Sequence, residues 1–146
     1  MSTLLDEILD NLYSFFDFKD KLVLHVGAGG GQLLEYANPT KHVYAIDIDD
    51  PALESLQSNV KAKNLVDKFT IEKKDYYDLT NKFDVTFFEF CLHEMIDPKR
   101  ALLHAKKYSK EILIIDHTPD SKWAWFVGET ELAQKSWQAT DEMTIK

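Results

Sequence analysis

Four glycines fill five consecutive positions, Gly27-Ala28-Gly29-Gly30-Gly31, directly after the apolar run Lys21–Val26 (KLVLHV). Glycine costs conformational entropy in any ordered segment, so so dense a cluster reduces stability unless something must approach the backbone closely. A strand that runs through such a loop into a helix presents free backbone N–H groups and the positive end of the helix dipole to one point in space, which is a cradle for an anionic or nucleotide-like ligand. Asp47 stands twenty positions after Gly27 at the end of the next apolar segment. An acid at that distance is placed to accept hydrogen bonds from ribose hydroxyls. The loop therefore demands a fold that delivers two neighbouring strand ends to one crevice.

The remaining pattern supplies such a fold. Apolar spacing over residues 3–16 (Leu4, Leu5, Ile8, Leu12, Phe15, Phe16) predicts a helix, with Ser2 or Thr3 as its cap and Asp6 and Glu7 at its positive end. Lys21–Val26 reads as a buried strand, followed by a short helix from Gly31 to Ala37 that Asn38-Pro39 ends. Further strands are expected at His42–Ile48, Lys68–Glu72, Phe83–Glu89 and Glu111–Asp116. Helices are expected from Pro51, burying Leu53, Leu56 and Val60, and from Asp97-Pro98 through Ala101, Leu102, Ala105 and Tyr108. Strands alternating with helices predict an α/β, doubly wound, Rossmann-like, mostly parallel sheet of about five strands with helices on both faces. Ligands then bind beyond the carboxyl ends of the strands, after Val26, Asp47, Glu72, Glu89 and Asp116.

A chain of 146 residues builds one domain with a single core, so residues 1–146 are expected to form one unit: an N-terminal helix over 1–18, a ligand-binding core over 20–117 and a C-terminal helical segment over 121–140. The longest mostly apolar stretch, Phe83–Leu92, is broken by Asp84 and Glu89 and falls far short of the ~20 residues that span a bilayer. The N-terminus carries acids where a secretory signal carries basic residues, and Cys91 alone cannot close an internal disulfide, so a cytoplasmic protein with no membrane association is expected. A net charge of −8 repels phosphate backbones and argues against a nucleic-acid partner.

Two classes of nucleotide cofactor use this strand–loop–helix geometry. The dinucleotide fingerprint needs Gly or Ala three positions after its second glycine, and after Gly29 that position holds Gln32. The spacing here is instead Gly27-x-Gly29-x-Gly31. Val23–Gly31, Ala45-Ile46-Asp47-Ile48, Phe83-Asp84-Val85 and Glu89–Met95, in this order and spacing, resemble the class I S-adenosylmethionine-dependent methyltransferase family over residues 20–117. The resemblance implies S-adenosylmethionine as cofactor, held by Gly27, Ala28, Gly29, Gly31 and nearby backbone at its methionine portion. It further implies Asp47 on the ribose, Ile48 against adenine, Asp75 and Tyr76 around the far side of the base, and Glu89 and Phe90 near the methyl donor.

The chain departs from the family pattern twice. His25 stands where the family usually has an acid that helps to fix the glycine loop and the cationic end of the cofactor, and an imidazole supplies no negative charge there. The sequence after Thr140 leaves no room for the family's C-terminal antiparallel hairpin, so the expectation is either a truncated product or another chain, such as a second copy in a homo-oligomer, covering the edge of the fifth strand. Methyl transfer from a sulfonium depends on alignment more than on an elaborate catalytic set, and a base matters only where the acceptor arrives protonated. His93 and His117 are the weak candidates for that base. His93-Glu94 has no second histidine at the zinc-protease spacing, and with His104 and Asp116 scattered and no cysteine pair, no metal is expected. Trp123, Trp125, Phe126 and Trp137 form either a helix against the sheet or a lid over an apolar acceptor, with Tyr13, Phe15 and Phe16 as an opposite wall. The expected activity is methyl transfer to a small-molecule acceptor; the alternatives are a methyltransferase-like binding or interaction subunit without turnover, and an NAD-linked oxidoreductase, which Gln32 disfavours.

Overall fold

The computed structural model describes residues 4–27, 33–89, 91–92 and 95–116. In chain order these form α1 (Leu4–Phe15), β1 (Leu22–Val26), β2 (His42–Asp47), α2 (Asp50–Ala62), β3 (Phe69–Lys73), β4 (Phe83–Glu89), α3 (Pro98–Tyr108) and β5 (Ser109–Ile115). Short 3-10 turns at Leu34–Ala37, Val66–Lys68 and Tyr76–Asp78 join them. The five strands lie in the order β3-β2-β1-β4-β5, and every neighbouring pair is parallel. This is the doubly wound α/β sheet that the alternation of elements predicts.

Alternating strand residues separate two cores. Val23, Val43, Ala45, Val85, Phe87 and Leu113 face Leu12 of α1, Leu56 and Val60 of α2, and the turn residues Leu34, Tyr36 and Ala37. Leu24, Val26, Ile46 and Phe88 face Ala101 and Ala105 of α3 together with Tyr76, Leu79 and Leu92. The period of two along each strand thus puts helices on both faces. Side chains start the helices that carry these faces: Asp49 accepts from the Ala52 amide at 3.0 Å and Asp97 from the Arg100 amide at 3.0 Å, each followed by proline in the first turn.

Three details differ from the sequence expectation. The segment before β2 is a four-residue 3-10 turn, not a full helix, among the described residues. The crossover from β3 to β4 carries only the turn Tyr76–Asp78, and Tyr76 together with Leu79 just after the turn packs in the core on that face. In α1, Leu12 is buried, and Phe16 just after the helix rests on the same core, while Phe15 is 80% exposed because it ends the helix on the solvent side. Residues 117–146, including the expected helical segment 121–140, lie outside the described residues. Among the described residues no helix is long and apolar enough to cross a membrane.

At the amino end of the sheet, Asp84 of β4 accepts the Leu22 amide at 2.8 Å and lies 3.4 Å from the Lys110 ammonium. The Leu22 hydrogen bond is the main force holding its carboxyl below the ordinary value of 3.8, aided by Lys110 and opposed by partial burial. A depressed carboxyl stabilises the fold fully above its unfolded pKa, and that contribution fades as pH falls through the folded value. Asp84→Asn keeps an acceptor for Leu22 without the ionisation. Its urea midpoint is therefore expected to fall less steeply than that of the parent chain as pH drops below about 4; parallel acid limbs would contradict the role given to Asp84.

Candidate functional site

The strand order reverses between β1 and β4, because the chain winds outward through β2 and β3 and then returns to the other side of β1. Crevices at such reversal points are where open α/β sheets take ligands. Register makes the crevice concrete. Val26 pairs with Ile46 on one side and Phe88 on the other, so Gly27 emerges between Asp47 and Glu89. Asp47 in turn pairs with Lys73 and Glu89 with Ile115. The five strand ends singled out from the sequence therefore lie along one edge.

Gly27 is glycine for two separate reasons. Its φ of +69° lies in the left-handed region, and a Cβ there would come within 2.5 Å of Cys91 Cβ and 2.9 Å of Cys91 Sγ. The Cys91 thiol also reaches the Val26 carbonyl at 3.4 Å, so the segment after β4 closes directly on the segment after β1. Cys91 is thus a structural neighbour of the glycine loop, a role that its apolar surroundings in sequence do not signal. Ala28, Gly29, Gly31 and Phe90 lie outside the described residues, as do His93 and His117.

Asp47 is half-buried at the end of β2, and its Oδ1 accepts from the amides of Ile48 at 2.8 Å and Asp49 at 3.2 Å. Those bonds fix the carboxylate at the strand end. Ile48 beside it is 70% exposed, an apolar surface at the rim of the crevice. Asp75 is exposed and caps the following turn through the Tyr77 amide at 2.9 Å. Tyr76 points the other way: its ring lies in the core against Phe88 and His104, and its hydroxyl donates to the Ala101 carbonyl at 2.8 Å. That burial pushes the Tyr76 phenol well up from its ordinary 10. The half-buried aromatic beside Asp75 is Tyr77, with the Arg100 guanidinium 4.0 Å from its ring centre.

The polar heart of the site is a line of three buried side chains. His25 of β1 is 1% exposed, Tyr36 0% and Glu89 of β4 4%. His25 Nδ1 lies 2.6 Å from the Tyr36 hydroxyl, and His25 Nε2 lies 2.6 Å from Glu89 Oε2. Although these two atoms are in contact, His25 Nε2 and Glu89 Oε2 are each left without a hydrogen-bond partner. Phe87 stacks on the imidazole at 4.8 Å and Tyr36 meets it edge-on at 5.4 Å, so the ring is held on three sides. Burial, then the charge of Glu89, pushes the Tyr36 phenol well above its ordinary value. Its proton is retained, and to a neutral imidazole the hydroxyl donates to Nδ1, which leaves the ring N–H on Nε2.

His104, weighed as a metal ligand from sequence, instead meets the Leu79 carbonyl at 2.8 Å and rests among Tyr76, Tyr77 and Tyr108. Among the described residues no group of three His, Cys, Asp or Glu side chains is placed to hold a metal.

The double constraint at Gly27 predicts a measurable cost. Gly27→Ala is expected to lower unfolding free energy by about 1–2 kcal/mol for left-handed backbone strain and by about 1–3 kcal/mol more for the collision with Cys91. In a Cys91→Gly background only the first part remains. Equal losses in both backgrounds, measured by urea unfolding, would show that Cys91 does not restrict this position.

Comparison with known proteins agrees with this geometry. Residues 24–111 match the model of the family described as methyltransferase domain, more than half of the chain. A ribosomal protein L11 methyltransferase of Legionella pneumophila is 40% identical over 53 residues, covering 35% of this chain and 18% of that protein. The YcgJ protein of Bacillus subtilis has a similar fold, with a TM-score of 0.67 and 18% identity over 76% of this chain and 50% of that one. Magnesium protoporphyrin IX methyltransferase of Synechocystis PCC 6803, solved with bound S-adenosylmethionine, gives a TM-score of 0.64 and 17% identity over 78% of this chain and 61% of that one. The chain thus spans less than a fifth of its Legionella relative in the matched segment and about half to three fifths of these two structures. With the family model running from within β1 into β5, across the strand ends that frame Gly27, the chain belongs to the methyltransferase domain family.

Proposed function

We propose that this chain binds S-adenosylmethionine in the crevice between β1, β2 and β4 and transfers its methyl group to a small-molecule acceptor. The observation that carries the reading is Gly27, a side-chain-free strand end set between the Asp47 and Glu89 strand ends at the reversal of strand order. The residues suit this cofactor chemically. It brings ribose hydroxyls, which a half-buried carboxylate at Asp47 accepts, and an apolar base, for which Ile48 offers exposed surface. It also brings a cationic amino-acid end, and Oε2 of the buried Glu89 carboxylate has no hydrogen-bond partner. Ala28, Gly29 and Gly31 extend the backbone cradle in this reading, Asp75 closes the far side of the base with Tyr76 behind it, and Phe90 borders the methyl donor.

When bound, S-adenosylmethionine supplies an electrophilic methyl group on sulfur. The chain's own part is to fix the ribose at Asp47, hold the backbone open at Gly27 and exclude water from the Glu89 side of the crevice. Such alignment contributes up to about 7–11 kcal/mol in favourable intramolecular models, so no elaborate catalytic set is needed. His93 and His117 are proposed as bases only for an acceptor that arrives protonated. A small molecule is favoured over a nucleic acid because the net charge of −8 repels phosphate.

Calorimetric titration with S-adenosylmethionine, S-adenosylhomocysteine and NAD tests the reading. Binding of the first two and not of NAD is expected; tight NAD binding with no adenosylmethionine response would sink it, and binding of none would favour a subunit without turnover. Asp47→Ala is expected to weaken adenosylmethionine binding by about 1–3 kcal/mol, the value of hydrogen bonds to a charged group. An unchanged dissociation constant would remove Asp47 from the ribose site.

A further inference from the structure

We infer that Glu89 is the ammonium receptor of this site, and that His25 and Tyr36 act as positioning residues that aim its carboxylate; this rests on the cofactor reading above. A carboxylate that is 4% exposed is costly to keep charged unless donors surround it. Glu89 Oε2 lies 2.6 Å from His25 Nε2 yet has no hydrogen-bond partner, so its neighbour leaves it unsatisfied. A sulfonium has no N–H to offer such an oxygen, whereas an α-ammonium has three. The chemistry of the deficiency therefore selects the amino-acid end of the cofactor.

Placement agrees with the chemistry. Glu89 ends β4 directly beside Gly27, and its carbonyl oxygen is 3.8 Å from the Cβ position that Gly27 leaves empty. His25 lies two residues before Gly27 on β1, on the face shared with Phe87, and it stacks on that ring. An imidazole here supplies no fixed negative charge of its own; the carboxylate reaches the same point from the neighbouring strand. The carboxylate at this sheet end thus sits on β4, with the imidazole of β1 beside it. The Tyr36 hydroxyl on Nδ1 fixes the ring from behind, because a ring nitrogen engaged on one side orients the other.

The test compares two neutral-sulfur probes by calorimetry: S-adenosylhomocysteine, which carries the ammonium, and 5′-methylthioadenosine, which lacks the amino-acid end. Glu89→Gln is expected to weaken S-adenosylhomocysteine binding about tenfold or more, as for loss of a charged hydrogen-bond partner, and to change methylthioadenosine binding by less than about twofold. Equal losses for both probes, or none, would overturn the assignment. A loss confined to S-adenosylmethionine with S-adenosylhomocysteine unchanged would also overturn it, by placing the charge on the sulfonium. If Glu89→Gln does not melt cooperatively, Glu89→Asp keeps the charge and withdraws it by one methylene. The same probe-selective loss, smaller in size, is expected there, and a loss shared by both probes overturns the proposal.

His25→Ala and Tyr36→Phe are expected to weaken S-adenosylhomocysteine selectively, by roughly threefold to tenfold, with partial recovery in His25→Gln, which restores a polar group that packs beside the carboxylate. A merely structural role would lower melting temperature and weaken both probes alike. If the unaltered chain binds neither probe, the cofactor reading falls first and this assignment with it. Binding of both with no dependence on Glu89 would overturn the assignment alone.

Discussion

The pairing of β1 with β4 is the constraint on which the rest of the site depends. That pairing, Val23 with Val85 through Val26 with Phe88, places two strand ends side by side at the point where the sheet reverses its order. A shift of one residue would send His25 and Phe87 to opposite faces and carry Glu89 away from the imidazole, since side chains alternate along a strand. Register is held by the buried pairs on both faces, with Val23, Val85 and Phe87 on one and Leu24, Val26 and Phe88 on the other. The Leu22–Asp84 hydrogen bond pins the same two strands at their amino ends. Core packing and site geometry are therefore one property in this chain.

The site joins two kinds of demand that ordinarily conflict. Gly27 needs open space at its α-carbon, yet Cys91 closes to within a Cβ collision of it. Glu89 needs donors, yet its buried Oε2 has no hydrogen-bond partner beside the imidazole. Both are local departures from a well-satisfied core, and both occur at one sheet end. Functional sites are where such departures are tolerated, because the ligand completes what the protein leaves unfinished.

Much of this was legible from residue order. Asp49-Asp50-Pro51 and Asp97-Pro98 announce helix starts through capping oxygens and a proline that needs no N–H, and the structure uses Asp49 and Asp97 in that way. The alternation of apolar segments likewise predicts β4 at Phe83–Glu89 and places β1, β2, β3 and β5 within about two residues. His25 was visible as a histidine where an acid belongs. What periodicity cannot carry is contact across parallel strands: Glu89 lies 64 positions beyond His25, and nothing local pairs them. Tyr36 was hidden for the same reason, in a turn whose sequence reads as a helix end. Tyr76 was placed at the base from its position after β3, but a three-residue turn in place of a crossover helix leaves a gap in the core, and Tyr76 fills it with its hydroxyl on Ala101.

A crystal structure of the chain with S-adenosylhomocysteine tests the central claim most directly. The ligand is expected over Gly27, with ribose hydroxyls on the Asp47 carboxylate and the ammonium within about 2.7–3.2 Å of Glu89. A ligand seated elsewhere, or one over Gly27 with its ammonium turned away from Glu89, would contradict it.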